Sequence, residues 1–189
     1  MDAAGSAALG PPGAGGTSVA PGSHTPADFD AFATRERRPL VAFAWTLTGD
    51  RGVAEDLAQE ALEAAWQRWG EVSGYDRPGA WARRVVANRA AGRGRRAGRE
   101  RRAYGRWLGG RADEAEPEMP DGHFWAEVRK LPERQAQAVA LFYLEDLPIA
   151  DIAVVLGCAE GTVKAHLHRG RLRLAHALGL VDAQDGAER

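Results

Sequence analysis

The sequence predicts an all-α protein made of two small helical domains joined by a flexible acidic linker. Ala, Leu, Arg and Glu fill long stretches in which apolar residues recur at helical spacing, and alternating strand patterns are absent. Pro and Gly stand at the boundaries of these stretches. Between residues 105 and 122, Gly, Pro and acidic residues cluster and both periodicities disappear, which is typical of a linker.

The individual helices follow from these periods and from their boundary residues. Gly49 can end the second helix because glycine adopts positive φ, and Asp50 can accept a hydrogen bond from a free N–H at the start of the third. Pro78, Pro132 and Pro148 suit first turns, where a backbone N–H has no helical acceptor. The predicted spans are residues 28–37, 39–48, 51–69, 77–97, 123–130, 133–145, 148–156 and 160–178.

Composition sets the ends of the two domains. Residues 1–27 are mostly Gly, Ala, Pro and Ser, so we expect a disordered tail, and they lack the basic and apolar segments of a signal peptide. No run of 18 apolar residues is present, so we expect no membrane insertion. The domains are predicted at residues 28–104 and 123–180, with the linker at 105–122 and a second tail at 181–189.

Charge is segregated along the chain, although the formal net charge is only −1. Residues 81–106 hold ten arginines and one acid, whereas residues 50–71 hold six acids and two arginines. A second basic segment, residues 162–176, has one lysine, three arginines and no acid. Basic faces favour a polyanion such as nucleic acid, and the acidic segment requires a different partner. The pattern therefore indicates at least two kinds of partner.

Residues 148–167 have the pattern of a helix, a glycine turn and a second, basic helix. Gly157 can take the positive φ that ends the first helix, and Ala153 is small enough for a helix crossing. Val163 and Leu167 fall on one face of the second helix, and its cations lie beside that face. A helical hairpin with a solvated Arg-rich face is the alternative, but a charge run alone would not require the glycine turn. The segment predicts a DNA-binding helix-turn-helix.

The predicted third helix carries its acids on one side, opposite Leu57 and Ala61. A solvated face is the plain alternative. A metal site or an acid–base pair is disfavoured, because no histidine lies near in sequence and no Glu-x-x-His pattern occurs. His166 and His168 are two residues apart on a helix and cannot easily share one ion. We therefore favour a protein-docking face, and we predict no metal, cofactor or catalytic residue.

Three segments, in this order, resemble the bacterial sigma-70-type sigma factors of the small extracytoplasmic-function (ECF) group. The segment EDLAQEAL at 55–62, followed by Trp66, resembles sigma region 2.2. The segment WARRVVANR at 81–89, which continues into further arginines, resembles regions 2.3 to 2.4. The segments LPERQ at 131–135 and YLEDL at 143–147, with the helix-turn-helix after them, resemble region 4. Each motif is weak alone, but their order is specific.

The resemblance implies a non-enzymatic factor of the bacterial cytoplasm that binds core RNA polymerase and directs promoter recognition and opening. The first domain would be the region 2 helical bundle and the second the region 4 helix-turn-helix. The partners it implies are promoter DNA, the β′ clamp helices and the β flap of core polymerase, with an anti-sigma factor as a further candidate. The candidate polymerase-binding residues are Asp56, Gln59, Glu60 and Glu63.

The same resemblance places minus-ten recognition on the Arg-rich helix and on the loop before it, at about residues 72–76. That loop would capture a base flipped out of the duplex, with Asn88 helping to hold it. We expect core packing for Trp66 and Trp81. The minus-ten candidates are Val72, Ser73, Tyr75, Arg83, Arg84, Asn88, Arg89, Arg93 and Arg96. The minus-thirty-five candidates, in the major groove, are Thr162, Lys164, Ala165, His168, Arg169, Arg171 and Arg173.

The chain departs from the family pattern at several positions. Ala159 stands where Ser or Thr usually caps the recognition helix, so we expect that helix to lack a side-chain cap. Ala165 and His166 replace commoner polar and Arg residues. Gly92 stands inside the Arg-rich helix where Asp is common, and we expect this helix to fray near Arg95 without DNA.

Two other classes of protein compete with this interpretation. A LuxR-type transcription regulator, acting without replacing sigma, would also suit the segment TVKAHL at 162–167. Such a regulator would normally carry a receiver or ligand pocket in its N-terminal half, where this chain has an acidic helix and an Arg-rich helix. A nucleic-acid enzyme is a more distant alternative, since the sequence shows no metal cluster, nucleophile constellation or phosphate loop.

Overall fold

The structure is a computed structural model that describes residues 25–103 and 122–180, with side chains described outside 95–103. All regular structure in these ranges is helical. The predicted C-terminal tail, and nearly all of the predicted linker and N-terminal tail, lie outside the described residues. The helices are α1 (Pro26–Thr48), α2 (Arg51–Gln67), α3 (Trp69–Val72), α4 (Pro78–Ala103), α5 (Gly122–Lys130), α6 (Glu133–Tyr143), α7 (Ile149–Leu156) and α8 (Glu160–Ala177).

Helix α1 is one continuous helix where the sequence predicted two. Pro39 lies inside it, although proline removes a helical hydrogen bond and disfavours helical geometry in the preceding residue. Leu40 and Phe43 just beyond it are fully buried, so packing outweighs that local cost. Thr25 and Asp28 form a capping box at its start, and Gly49 ends it at φ 70° as predicted.

Helices α2 and α4 also differ from the predicted spans. Asp50 caps α2 as predicted, since its carboxylate accepts a hydrogen bond from the Val53 N–H at 2.8 Å. Helix α2 ends at Gln67, and the short helix α3 follows in place of its expected last turn. Helix α4 continues through Gly92 to Ala103, beyond Arg95, where fraying was expected. The arginines on either side of Gly92 in the sequence are good helix formers.

The second region contains α5 to α8. The α7–α8 pair is a helix-turn-helix whose turn residue, Gly157, has φ 65°. Ala159 begins α8 without a side-chain hydrogen bond, as the sequence predicted. Val163 and Leu167 are buried from α8 against the rest of this region. These contacts leave the opposite face of α8 exposed.

The two regions lie against each other. Helices α1, α2 and α4 pack together, α6, α7 and α8 form a second group, and α4 packs on α7 while α1 packs on α5 and α6. The buried apolar residues form a continuous cluster that runs from Phe32 in α1 to Leu174 in α8. Among the described helices, none has the length and apolar character needed to cross a membrane.

Candidate polymerase and nucleic-acid interfaces

Helix α2 presents three predicted polymerase-binding residues on an exposed face. The Asp56 side chain is 70% exposed, and Gln59 and Glu63 are exposed beside it. The Gln59 amide donates a hydrogen bond to the Glu63 carboxylate at 2.9 Å. On the opposite side, Leu57 and Ala61 are fully buried, which fixes this face toward solvent.

Glu60, the fourth predicted residue, lies at the border between α2 and α4. Its carboxylate accepts hydrogen bonds from Arg89 and Arg93, two of the predicted minus-ten residues. Arg93 also lies 4.0 Å from the carboxylate of Asp56. The acidic face of α2 and the basic face of α4 are therefore adjacent and partly neutralise each other.

Trp66 extends the acidic face, and sequence reasoning missed it. Core packing was expected, but the side chain is half exposed, with its ring centroid 4.9 Å from that of Phe29. Trp66 follows Gln59 by seven residues and Glu63 by three, so helical spacing alone places all three on one face. For Trp81 the expectation of core packing is confirmed, because it is only 2% exposed.

The loop before α4 is partly folded onto α3. Val72 is fully buried, which corrects its assignment as a DNA contact: its side chain packs into the core and supports the loop. The Ser73 hydroxyl donates to the Trp69 carbonyl. The Tyr75 hydroxyl donates to the Glu71 carboxylate. That hydrogen bond lowers the pKa of Glu71, and burial together with the same bond raises the pKa of Tyr75.

The predicted minus-ten residues on α4 differ in their surroundings. Asn88 is exposed, whereas the Arg83 side chain is only 11% exposed. Burial alone would lower the pKa of Arg83, but adjacent carboxylates outweigh it and raise that pKa. Arg84 lies against Gly157, where a β-carbon would come within 2.8 Å of its Nη2. Arg96 belongs to the part of α4 whose side chains lie outside the described residues.

The predicted minus-thirty-five residues share the outer face of α8. Thr162, Lys164, His168 and Arg169 are exposed, and Ala165 is half-buried among them. Two further arginines are tied to α6: Arg171 donates to the Tyr143 hydroxyl at 2.9 Å, and Arg173 donates to the Gln135 amide oxygen at 3.2 Å. Lys164 and Arg169 form no ion pair with the carboxylates that the structure describes.

His166 lies at the inner edge of that face and is half-buried. Burial lowers its pKa, and the positive charges of Arg169 and Arg134 lower it further. Within residues 25–103 and 122–180, no cluster of three or more His, Cys, Asp or Glu side chains could hold a metal ion. The basic surface of α8 is thus built from side chains that can donate hydrogen bonds to bases and phosphates.

Comparison with known proteins finds two family matches along the chain. Residues 32–100 match the family model for sigma-70 region 2, and residues 124–174 match that for sigma-70 region 4. The chain is 30% identical over 154 residues to the ECF RNA polymerase sigma factor SigM of Mycobacterium tuberculosis, covering 82% of this chain and 79% of that protein. It is 29% identical over 150 residues to EcfG of Rhodopseudomonas palustris, covering 77% and 82%.

A solved structure is similar over most of the chain. The sigma factor RpoE from Bartonella quintana, solved in complex with the anti-sigma factor NepR, superimposes with a TM-score of 0.68 at 28% identity. The match covers 81% of this chain and 98% of that one. The sequence relatives and the structural neighbour therefore each match most of this chain.

An exposed acidic helix, a basic helix beside it and a helix-turn-helix downstream define a promoter-recognition factor of the sigma-70 type. The relatives narrow the class further: this chain belongs to the ECF group of sigma factors. It directs RNA polymerase to promoters, and the LuxR-type alternative is not favoured, because region 2 accounts for the N-terminal half.

Proposed function

We propose that residues 28–104 dock on core polymerase and open the minus-ten region, while residues 123–180 anchor the complex at the minus-thirty-five element. The observation that carries this assignment is the separation of two surfaces. The outer face of α2 is acidic and exposed, and on the outer face of α8 Lys164 and Arg169 are exposed and form no ion pair with the described carboxylates. One protein partner and one DNA partner can therefore be bound at the same time.

The polymerase-binding surface comprises Asp56, Gln59, Glu60 and Glu63, with Trp66 as its aromatic anchor. Interfaces depend on a few large side chains surrounded by polar contacts, and tryptophan is among the commonest of these. The half-exposed ring of Trp66 on the same face as Gln59 and Glu63 supports this arrangement. The acidic residues would select a basic partner surface, such as one on the β′ clamp helices, and region 4 would contact the β flap.

Minus-ten opening would use the surface formed by α4 and the loop before it. Asn88 is exposed and can offer its amide to the Watson–Crick edge of a flipped base, and the half-buried Ser73 and Tyr75 of the preceding loop would contact the same strand. Arg89 and Arg93 can turn from Glu60 to phosphate, which supplies affinity without sequence information. Capture of an unpaired strand needs no bond to be made or broken, so we assign the chain no catalytic step.

Minus-thirty-five recognition would use the exposed face of α8 in the major groove. Lys164 and Arg169 can donate to guanine O6 and N7, at about 1 to 3 kcal/mol of discrimination for each good bidentate contact. Thr162, Ala165 and His168 would contact neighbouring base edges. Arg171 and Arg173, held by α6, would contact phosphate and fix the angle of the helix on the duplex.

Two further proposals concern an anti-sigma partner and the location of the protein in the cell. RpoE from Bartonella quintana binds the anti-sigma factor NepR. Because this chain shares the fold of RpoE over both regions, we propose an anti-sigma factor as a partner here too. We place the protein in the bacterial cytoplasm, since that is where core polymerase meets promoter DNA.

In vitro transcription with purified core polymerase tests the proposed function. Polymerase plus this protein, on a fragment library of the source genome, is expected to give transcripts that start at defined promoters. Core polymerase alone, and polymerase with an Asp56→Ala, Trp66→Ala variant, are the controls and should give none or few. Tight binding of specific duplex sites by the protein alone, with no promoter-specific transcript, would instead indicate a regulator.

A further inference from the structure

A series of side-chain contacts runs from the core of region 2 to the loop at residues 73–77, which precedes α4. The series begins at Trp81, which lies near the start of α4 and is only 2% exposed. The guanidinium of Arg68 lies over the Trp81 ring, 5.6 Å from its centroid. Arg68 is the residue between α2 and α3, so this cation–π contact ties the junction of those helices to the start of α4.

Glu71 of α3 continues the series toward the loop. The Arg68 Nε donates at 3.1 Å to one carboxylate oxygen of Glu71, and the Arg68 Nη2 donates at 2.7 and 2.9 Å to the two oxygens. The Tyr75 hydroxyl donates to the same carboxylate. Both oxygens of Glu71 are thus occupied by protein donors, so this carboxylate is better suited to hold its neighbours in place than to contact a base.

The backbone of the loop is folded around the same point. The Tyr75 N–H donates to the Val72 carbonyl at 3.1 Å, and the Gly74 N–H donates to the Glu71 carbonyl at 3.1 Å. Val72 is fully buried, so the residue before the loop is anchored in the core. Tyr75 is therefore held at two points, by its backbone N–H and by its hydroxyl, and its ring has a defined place beside α3.

We propose that Arg68 and Glu71 are positioning residues, which hold the ring of Tyr75 and the rest of the loop in the shape that receives an unstacked base. The inference rests on the proposed function, in which this loop and Asn88 capture a base of the minus-ten element. An aromatic ring offers a stacking surface for any base. A surface that is ordered before the base arrives avoids the entropic cost of ordering it at that moment. Arg68 and Glu71 therefore increase the rate of opening without contacting DNA themselves.

The ion pair of Arg68 and Glu71 contributes little to the stability of the whole domain. Their side chains are 37% and 47% exposed, and ion pairs at such positions add little to the free energy of unfolding. Their effect is local, because they hold one short loop. Loss of the pair should therefore loosen the loop and leave the midpoint of urea unfolding nearly unchanged, which separates a positioning role from general support of the fold.

The first test measures the order of the loop in the full chain, without polymerase or DNA. Hydrogen exchange at the backbone N–H groups of Gly74 and Tyr75 is compared between the unchanged chain, Glu71→Ala and the control Glu127→Ala. Glu127 also forms an ion pair with a cation three residues away, but it lies in α5. We expect exchange about three- to tenfold faster in Glu71→Ala, because the loop opens more often, and no change in the control.

The second test uses core polymerase with the full chain, on the promoter fragments obtained by in vitro transcription. The fluorescence of 2-aminopurine in the minus-ten region reports opening. Glu71→Ala should slow opening by about three- to tenfold, because capture falls with the fraction of loops in the receptive shape, and it should leave affinity for the closed duplex unchanged. Glu71→Gln keeps an oxygen acceptor for the Tyr75 hydroxyl and should recover most of the rate.

A third variant tests whether Glu71 acts through Tyr75. Tyr75→Phe keeps the stacking ring and removes the hydroxyl, so it should also slow opening. Combined with Glu71→Ala, it should slow opening no further than Glu71→Ala alone, because both changes break the same hydrogen bond. Fully additive effects of the two changes would contradict the proposed route through Tyr75.

The outcomes separate this proposal from the proposed function. Unchanged hydrogen exchange in Glu71→Ala would overturn the positioning role, and so would faster exchange with an unchanged rate of opening, while promoter-specific transcription by the unchanged chain would still support the proposed function. If the unchanged chain gave no promoter-specific transcript, the proposed function would fail and the positioning role would fail with it. Hydrogen exchange would then still show whether Glu71 orders the loop.

Discussion

Helices α4 and α8 are both basic, and they hold their cations in opposite ways. On α4, Arg83, Arg89 and Arg93 each contact at least one carboxylate. On α8, Lys164 and Arg169 face solvent and form no ion pair with described residues. The helix proposed to read the minus-thirty-five element would therefore be ready for DNA, whereas the helix proposed for the minus-ten element would first have to exchange protein carboxylates for phosphates.

The difference indicates an order of events. A helix whose cations are free can make the first electrostatic contact with duplex DNA. A helix whose cations are paired contributes only after its partners move, and Glu60 belongs to the surface proposed to bind polymerase. Polymerase binding would therefore compete with Arg89 and Arg93 for Glu60 and release them toward DNA.

The largest expected effect comes from Asp56→Ala combined with Glu60→Ala. Affinity for core polymerase should fall by about thirtyfold or more, as for truncated central interface residues. Binding of duplex DNA by the free full-length chain should not fall, because Arg89 and Arg93 lose only protein partners. A competition assay measures the affinity for core polymerase, and fluorescence anisotropy on the same preparation measures the affinity for duplex DNA. A parallel loss of both would mean that the acidic helix only supports the fold.

Next in size is Arg169→Ala on α8. This exposed residue should lose about 1 to 3 kcal/mol of discrimination at the base pair that it contacts, with no change in the free energy of unfolding. Promoter fragments from the transcription test, with single substitutions in the upstream element, provide the measurement. Arg89→Ala is the comparison on α4. It should weaken opening of the minus-ten region without altering the base preference at the upstream element. If Arg169→Ala weakened all fragments equally, it would be a phosphate contact.

Gly157→Ala probes the turn where the two helices meet. At φ 65° an alanine is strained by about 1 to 2 kcal/mol, and its β-carbon would also press on Arg84. Urea unfolding should show that loss of stability. Gly161→Ala is the control, because its β-carbon would meet nothing within 4 Å beyond the backbone of its own helix, and it should not lose stability. Equal stability of the two variants would contradict the strained turn.

The smallest expected effect is the change in stability with pH that His166 of α8 causes. Because the folded-state pKa of His166 lies below its ordinary value, the unfolded chain binds the proton more tightly. His166 therefore contributes fully to stability above the ordinary histidine pKa. That contribution is lost as the pH falls from the ordinary pKa toward the lower pKa of His166 in the folded protein. Unfolding free energies at about pH 7.5 and 5.5 should therefore differ less in His166→Gln than in the exposed-site control His168→Gln. An unchanged difference in His166→Gln would exclude this histidine as the cause.

The sequence predicted those features that depend on local physics. Gly157 in the turn and the uncapped Ala159 follow from residue type, and the buried stripe through Val163 and Leu167 follows from helical spacing. Pro39 was misjudged because local rules favour a break there, and only the burial of its neighbours shows why the helix continues. These successes and that error concern residues close together in the chain.

Features that depend on distant residues could not be predicted in this way. Arg83 resembles a phosphate contact in sequence, yet its partners are 47 and 62 residues away and lie on other helices. No period or motif joins Arg83 to Glu145. Trp66 is an intermediate case, because its spacing from Gln59 places it on the exposed face, although its type favours burial.

The two carboxylates around Arg83 also have a consequence for synthesis on the ribosome. Glu36 precedes Arg83 in the chain and Glu145 follows it, so one acid is present when the arginine emerges and the other arrives later. A buried cation without a partner would be strongly unfavourable, and the N-terminal half of a nascent chain folds before the rest. Region 2 can therefore fold with Arg83 already neutralised, before region 4 has been translated.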